Sequence, residues 1–167
     1  MKNVFLLATF VLGVFFGVIF TGLSINFTSS NFMIKEVLSP YDYDKTIEVL
    51  VNRINNTPGW GIVAVIDQNA AVKKTGGSDI GKLSIIQYCS GKYSSEMLRV
   101  DSRKRIAVFM PKSFAVYEKS NGKVYIALSN VALIGKLFDK ETAGIIERVS
   151  LEVERMLSFI NFKFSLF

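Results

Sequence analysis

The chain contains 167 residues, with no histidine, one cysteine and a formal net charge of +6. The absence of histidine excludes the usual general base at neutral pH, the Ser–His and Cys–His nucleophile pairs, and the commonest metal ligand. A lone cysteine, Cys89, excludes both an intramolecular disulfide and a CxxC redox pair.

An uncharged, apolar run covers residues 4–23. A helix of about 20 residues matches the roughly 30 Å hydrocarbon core of a bilayer. A cleavable signal has a shorter apolar region that ends at small residues of the A-x-A type, and this run has no such site. We therefore predict a transmembrane anchor or uncleaved signal over 4–23, with cleavage and secretion as the alternative.

The charges beside this run predict its orientation. Lys2 and the amino terminus are the positive charges close before it, which favours a cytoplasmic location for residues 1–3. The prediction is a single-pass protein of the cell membrane. A linker over 24–32 would lead to an extracytoplasmic domain, either periplasmic or at the cell surface.

Small residues recur every four positions within the same run, at Thr9, Gly13, Gly17 and Thr21. A ridge of small residues lets two helices approach closely in lipid. The spacing therefore predicts a helix that pairs with itself or with a partner. The alternative is that glycine and threonine are simply common in such segments.

Residues 33–160 are long enough for one domain with its own core. The apolar pattern predicts a strand over 33–38 and a helix capped by Asp42 that ends before Pro58. The β-branched run at 60–66 predicts a largely buried strand, and a short helix is expected over 69–74.

The second half of this domain is predicted to be richer in strands. Strands are expected over 82–89, 105–111 and 113–119, with a helix after the first of them. Asn121-Gly122 between two alternating apolar runs predicts a tight hairpin to the next strand, since both residues tolerate positive φ.

A long helix is predicted to close the domain. Asn130 is expected to cap a short helix, and a helix from Lys140 carries an apolar stripe that ends near Ile160. An apolar tail follows at 161–167. The order of elements predicts an α+β fold, in which a largely antiparallel sheet packs against its helices mainly on one face.

A basic cluster lies between the predicted helix after Cys89 and the following strands. Its members are Arg99, Arg103, Lys104, Arg105 and Lys112, opposed only by Asp101. Such a patch suits an anion or a membrane surface, and the simplest alternative is a solvated turn. No aromatic residues that could stack bases are interleaved with these charges, so a nucleic-acid partner is not expected.

Other candidate site residues have structural explanations. The carboxylates at predicted strand and helix ends are Asp42, Asp44 and Asp67, and each is explained by capping or turn formation. The methionines considered as soft metal ligands are Met33, Met97, Met110 and Met156, and their spacing fits core positions. We therefore predict no metal and no cofactor.

Several segments together resemble the prokaryotic family known as domain of unknown function 302. They are "SPYDYDKTIEVL", "GWGIVAVID", "LSIIQYCSGKYSSEML", "VFMPKSFAVYEKSNGKVYIALSN" and the closing helix. The resemblance covers roughly residues 34–160. It implies a fold similar to the TATA-binding-protein-like class, with a curved antiparallel sheet around the long C-terminal helix. It also implies homodimers, and it implies no established reaction.

The resemblance bears on the chemistry of Cys89. Relatives often show Cys-Asn-Pro at the end of the strand that here closes in Cys89, and a second cysteine directly after the proline that here is Pro111. This chain has Cys89-Ser90-Gly91 and Pro111-Lys112. The lysine at the second position puts two-thiol chemistry in doubt.

Two functions remain open. The favoured one is a membrane-anchored, non-enzymatic domain that binds a small apolar or anionic ligand, or a partner protein, between the sheet and the long helix. The rival is a thiol-dependent redox or sulfur-handling protein that uses Cys89, supported by Lys92 or Lys112 and by a helix N-terminus. A buried, inert Cys89 is the simpler reading of that residue.

Overall fold

A computed structural model of the chain describes residues 2–160 and 162. It divides into two compact units, residues 1–33 and 34–167. The first unit is a single helix, α1 (Lys2–Met33), which also contains the residues 24–32 that the sequence assigns to a linker. Phe162 is buried, and the rest of the predicted apolar tail, at 161 and 163–167, lies outside the described residues.

The predicted transmembrane anchor is wrong. In the part of the chain that the structure describes, no helix is both long enough and apolar enough to cross a membrane. The single-pass membrane location loses its support with the anchor, as does the extracytoplasmic orientation derived from it.

The small residues of α1 lie where their spacing predicts. Gly13 and Gly17 are exposed, and a Cβ on either would meet no atom within 4 Å. The Thr9 and Thr21 hydroxyls donate to the carbonyls of Leu6 and Gly17 on the same helix, at 2.9 and 2.7 Å. Pairing through this ridge stays a prediction.

The second unit is built on a five-stranded antiparallel sheet in the order β1-β5-β4-β3-β2. The strands are β1 (Ile34–Leu38), β2 (Trp60–Asp67), β3 (Leu83–Ser90), β4 (Lys112–Glu118) and β5 (Val124–Ser129). The predicted hairpin is confirmed: β4 pairs with β5, and Gly122 has a φ of 73°. The α+β class and the antiparallel sheet are therefore confirmed, without the transmembrane helix that the prediction placed before them.

Helices connect the strands and follow the last of them. They are α2 (Tyr43–Asn55), α3 (Gln68–Lys74), α4 (Gly91–Leu98), a 3₁₀ helix (Asp101–Phe109), α5 (Val131–Gly135), α6 (Lys140–Met156) and a short 3₁₀ turn (Ser158–Ile160). Most of these helices begin with a side-chain cap, such as Asp42 at α2 and Asp139 at α6. These caps satisfy amide N–H groups that the first helical turn leaves without partners.

Strict alternation along β3 to β5 defines the buried face of the sheet. In β3, Ile86 and Tyr88 are fully buried while Ile85, Gln87 and Cys89 are only partly buried. The buried face packs against the apolar stripes of α2 and α6, where Leu50, Ile145 and Val153 are at most 1% exposed. The domain therefore has one core, between this face and the helices.

The strand predicted over 105–111 is wrong. Most of this segment belongs to the 3₁₀ helix Asp101–Phe109. Arg103 and Ile106 are buried three residues apart, whereas Val108 and Phe109 are 79% and 54% exposed. Three-residue spacing is the 3₁₀ period. The contacts that bury Arg103 and Ile106 thus override the β preference of the valine, isoleucine and phenylalanine side chains.

Candidate functional site

A cavity of about 120 Å³ lies between the sheet and α6. The sheet contributes Trp60, Tyr88, Cys89, Ser90, Lys112 and Ser129. The helices and their connections contribute Tyr93, Ser94, Met97, Ile106, Phe109, Met110, Val131, Ile134, Phe138, Ile145, Ile146 and Val149. Most of these side chains are apolar. Phe109 is more than half exposed, so the cavity reaches the protein surface beside the 3₁₀ helix.

Two polar side chains enter the cavity from adjacent strands. Tyr88 of β3 and Lys112 of β4 stand directly opposite each other in the register of the sheet. Side chains at such positions project to the same face and have Cβ atoms about 5 Å apart. The sheet therefore holds Tyr88 and Lys112 side by side at one wall of an apolar space.

Neither polar group has a partner among the described residues. Tyr88 is fully buried, its hydroxyl forms no hydrogen bond, and burial raises its pKa. Lys112 is half-buried, and the structure gives it no ion pair or hydrogen bond with a described residue. Burial lowers the pKa of Lys112 to about 8. Burying polar groups without partners is costly, so both groups lower the stability of the fold.

The aromatic wall of the cavity is fixed by Glu152 of α6. The Trp60 indole N–H donates to Glu152 Oε2, and the Tyr93 hydroxyl donates to Glu152 Oε1 at 2.7 Å. The hydrogen bond to Glu152 is the main cause of a raised pKa at Tyr93. The Trp60 ring lies 5.7 Å from that of Tyr88 and 6.1 Å from that of Tyr93, between centroids. One carboxylate thus sets the positions of two lining rings.

The predicted thiol lines the same cavity. Cys89 is half-buried, and its Sγ lies 3.0 Å from the hydroxyl oxygen of Ser94. Lys112, one of the two lysines proposed from the sequence to support the thiol, lines the same cavity. Lys92 does not line the cavity, and its Nζ lies 5.4 Å from the ring centroid of Tyr93. Cys89 and one of its two predicted supporting lysines therefore line one cavity, although the alternation of β3 directs Cys89 to the opposite face of the sheet from Tyr88 and Lys112.

The five predicted basic residues do not form one surface. Arg99, Lys104 and Arg105 are exposed, and Lys104 pairs with Asp101 at 2.6 Å. Arg103 is 5% exposed and its Nη1 lies 2.8 Å from Glu141 Oε1, which joins the 3₁₀ helix to the start of α6. Since Lys112 lies in the cavity, any anion site on the surface is limited to the three exposed residues.

The carboxylates and methionines considered in the sequence act as helix caps, lie in the core or cavity wall, or are exposed. Asp42 and Asp67 accept backbone N–H bonds of 2.8 and 2.9 Å as caps, and Asp44 is exposed in the first turn of α2. Met97 and Met156 are in the core, Met110 lines the cavity and Met33 is 45% exposed. No group of three or more histidine, cysteine, aspartate or glutamate side chains in the described residues could hold a metal ion.

Sequence reasoning missed Tyr88, Trp60 and Glu152 as site residues. Tyr88 lies two residues after Ile86 in a strand that the sequence predicts, so its burial could have been anticipated from the alternation of the strand. Nothing in the sequence indicates that Glu152, on the predicted solvent face of the long helix, contacts Trp60.

Comparison with known proteins supports the fold. Residues 35–160 match the family model described as "Domain of unknown function DUF302", which confirms the resemblance noted in the sequence. The crystal structure of an uncharacterized conserved DUF302 protein from Bacillus stearothermophilus has 18% sequence identity and a TM-score of 0.66. That match covers 77% of this chain and 98% of the other. Among curated proteins, none matches in sequence.

The solved structure shows the fold alone, because its sequence identity to this chain is low. The TATA-binding-protein-like class that the resemblance implies is not confirmed. Homodimer formation, which the same resemblance implies, stays a prediction.

Proposed function

This chain belongs to the DUF302 family, and we propose that it binds a small molecule with an apolar body and an anionic head in the cavity between the sheet and α6. One observation carries the proposal: Tyr88 and Lys112, opposite each other on adjacent strands, both line an apolar cavity, and their polar groups have no partner among the described residues. An ammonium and a phenol O–H are both hydrogen-bond donors. A carboxylate, which accepts from both at once, fits this pair best.

The size of the cavity limits the apolar body. An engineered cavity of about 150 Å³ lined by aliphatic and aromatic side chains binds benzene, and the cavity here is about 120 Å³. A short aliphatic acid or a single-ring aromatic acid is of this size. Among the described residues no carboxylate lines the cavity, so no side chain there would repel an anionic head.

Benzoate is the probe that tests this proposal. At pH 6.5 we expect it to bind with a micromolar to millimolar Kd by calorimetry, and the neutral isostere benzamide to bind at least tenfold more weakly. Lys112→Met should lose at least tenfold in affinity, because the charge-assisted bond to the carboxylate is lost. Tyr88→Phe should lose severalfold through loss of one donor.

Lys92→Met is the matched control, since Lys92 is an exposed lysine on α4 that does not line the cavity. Its affinity for benzoate should equal that of the unsubstituted protein. No binding of benzoate by the unsubstituted protein, or equal binding by Lys112→Met, would contradict the proposal.

The affinity for benzoate should fall as pH rises through about 8, where Lys112 loses its proton. The other titratable groups that line the cavity are Tyr88, Cys89 and Tyr93. The pKa values of both tyrosines are raised, so neither titrates in this window. The affinity of Cys89→Ser, measured over pH 6.5–9.5, should follow the same curve. If the affinity of the unsubstituted protein for benzoate does not change over this pH range, Lys112 does not bind the carboxylate through its charge.

Thiol-dependent chemistry is a second candidate, because Cys89 lines the same cavity and its Sγ is close to the Ser94 hydroxyl. The family resemblance implies a second cysteine at the position of Lys112, so a two-thiol cycle would lack its partner in this chain. The rate of alkylation by iodoacetamide distinguishes the two candidates. A rate no higher than that of the thiol in the urea-unfolded chain would exclude the second one.

A further inference from the structure

We propose that Lys112 is also a covalent site, whose amine condenses reversibly with a small apolar aldehyde or ketone held in the cavity. This inference rests on the cavity of the proposed function and goes beyond it, because it adds a bond-forming step to binding. The substrate class is set by the same volume and the same apolar lining, with a carbonyl group in place of the carboxylate.

The surroundings of Lys112 favour its neutral, nucleophilic form. It lies half-buried at an apolar wall, and among the described residues no carboxylate lines the cavity to stabilise its charge. Burial lowers its pKa to about 8. At pH 7.5 about a quarter of such an amine is neutral, roughly 200-fold more than for an exposed lysine with its ordinary pKa near 10.4. Lysines activated in this way form Schiff bases with carbonyl substrates.

Other lysines of the domain are in different surroundings. Lys45, Lys73 and Lys119 form ion pairs with Glu48, Asp79 and Glu36, respectively. Lys104 pairs with Asp101 and is exposed. None of these four lysines lines the cavity, so they lack the apolar surroundings of Lys112.

Tyr88 supplies the hydrogen-bond donor that such a step needs. Its hydroxyl is buried without a partner directly across the strand pair from Lys112, and its raised pKa keeps it protonated. The register places Tyr88 beside Lys112, so its hydroxyl is the donor that we propose for the oxygen of a carbonyl group held at Lys112. That hydrogen bond polarises the carbonyl group and stabilises negative charge that develops on its oxygen.

The step balances without an oxidant or a reductant. The nitrogen lone pair of Lys112 forms a C–N bond to the carbonyl carbon, and the carbonyl π electrons move to oxygen, which gains a proton to give a carbinolamine. The C–O bond then breaks, and the oxygen leaves as water with a second proton. The nitrogen is left in a C=N imine, so the net change is amine plus carbonyl compound to imine plus water.

Reductive trapping tests this inference on the full chain. With benzaldehyde and sodium cyanoborohydride at pH 8, we expect peptide mass spectrometry to show N-benzylation of Lys112 at least tenfold faster than of Lys104. Tyr88→Phe should slow labelling of Lys112 severalfold. Lys104→Arg is the matched control and should leave labelling of Lys112 unchanged. Addition of benzaldehyde to Cys89 gives no reduced, stable product, so the thiol does not contribute to the signal.

A competition experiment needs no variant, so it does not depend on whether a variant folds. Benzoate added to the unsubstituted protein should slow the labelling of Lys112 by benzaldehyde and leave that of Lys104 unchanged. Labelling of Lys112 no faster than of Lys104 overturns the inference, and the proposed function survives if benzoate still binds. Fast labelling of Lys112 that benzoate does not slow supports the covalent site and contradicts the carboxylate proposal. If benzoate does not bind and Lys112 is labelled no faster than Lys104, both the proposed function and the covalent site are overturned.

Discussion

Lys112→Met should raise the free energy of unfolding at pH 7 by about 2 kcal/mol. The pKa of Lys112 is about 8 in the folded protein and about 10.4 in an unfolded chain. The unfolded chain therefore binds the proton more tightly, and below pH 8 the charged amine destabilises the fold. A shift of this size corresponds to about 3 kcal/mol at 1.36 kcal/mol per pKa unit. We expect less because Lys112 is only half-buried.

The pH dependence makes this prediction specific. The cost of the charged amine is fully present below pH 8 and disappears as pH rises toward 10.4, where both states lose the proton. In urea unfolding, Lys112→Met should thus be more stable than the unsubstituted protein at pH 7 and nearly equal to it at pH 10.5. Lys104→Met, at an exposed ion pair, should change stability by less than about 0.5 kcal/mol at either pH. A Lys112→Met protein that is less stable at pH 7 contradicts the account.

If Lys112→Met is more stable than the unsubstituted protein, the lysine lowers the stability of the fold at a position that lines the cavity. Stability is commonly given up at sites that must hold unpartnered polar groups for a ligand. Under the proposed function Tyr88 and Lys112 are such groups, and they lie opposite each other on adjacent strands. Benzoate should accordingly stabilise the unsubstituted protein more than Lys112→Met, because only the former has a buried charge for the carboxylate to neutralise.

Much of the fold is predictable because its signals are local. The cap of α2 at Asp42, the Asn121-Gly122 hairpin and the apolar stripe of α6 all follow from residues that are near one another in sequence. The 3₁₀ helix at Asp101–Phe109 is different, because what decides it is burial of Arg103 and Ile106 against distant elements. Local propensity favours a strand there, and tertiary contacts override it.

Only part of the cavity lining can be predicted from the sequence, because the rest depends on contacts between residues that are distant in the sequence. Cys89 and Lys112 are identifiable from chemistry and from the resemblance to the family. The position of Lys112 opposite Tyr88 depends on the register of β3 against β4, which the sequence between these strands does not determine. Glu152 and Trp60, which form a hydrogen bond, are 92 positions apart in the sequence. Amphipathic patterning places Glu152 on the solvent side of α6, whereas in the structure it is partly buried and accepts a hydrogen bond from the indole N–H.

Glu152→Ala should lower the free energy of unfolding by about 2–3 kcal/mol and disrupt the aromatic wall of the cavity. The substitution leaves the Trp60 indole N–H and the Tyr93 hydroxyl without their shared acceptor, and both residues are at least nine-tenths buried. Hydrogen bonds to a charged group contribute about 1.5–3 kcal/mol each, and an orphaned buried donor is costly. Glu152→Gln should cost less, because the amide oxygen still accepts from one of the two donors.

Trp60 is the one tryptophan in the chain, so its fluorescence reports both effects of Glu152→Ala. We expect urea unfolding at a lower midpoint and, before unfolding, a red-shifted emission as the indole N–H turns toward water. Glu147→Ala is the matched control, since Glu147 is exposed on the same helix and is given no partner among the described residues. If Glu152→Ala unfolds like Glu147→Ala, the carboxylate does not hold the wall. If instead benzoate affinity falls in Glu152→Ala and not in Glu147→Ala, the rings that Glu152 positions are part of the binding surface, because Glu152 itself does not line the cavity.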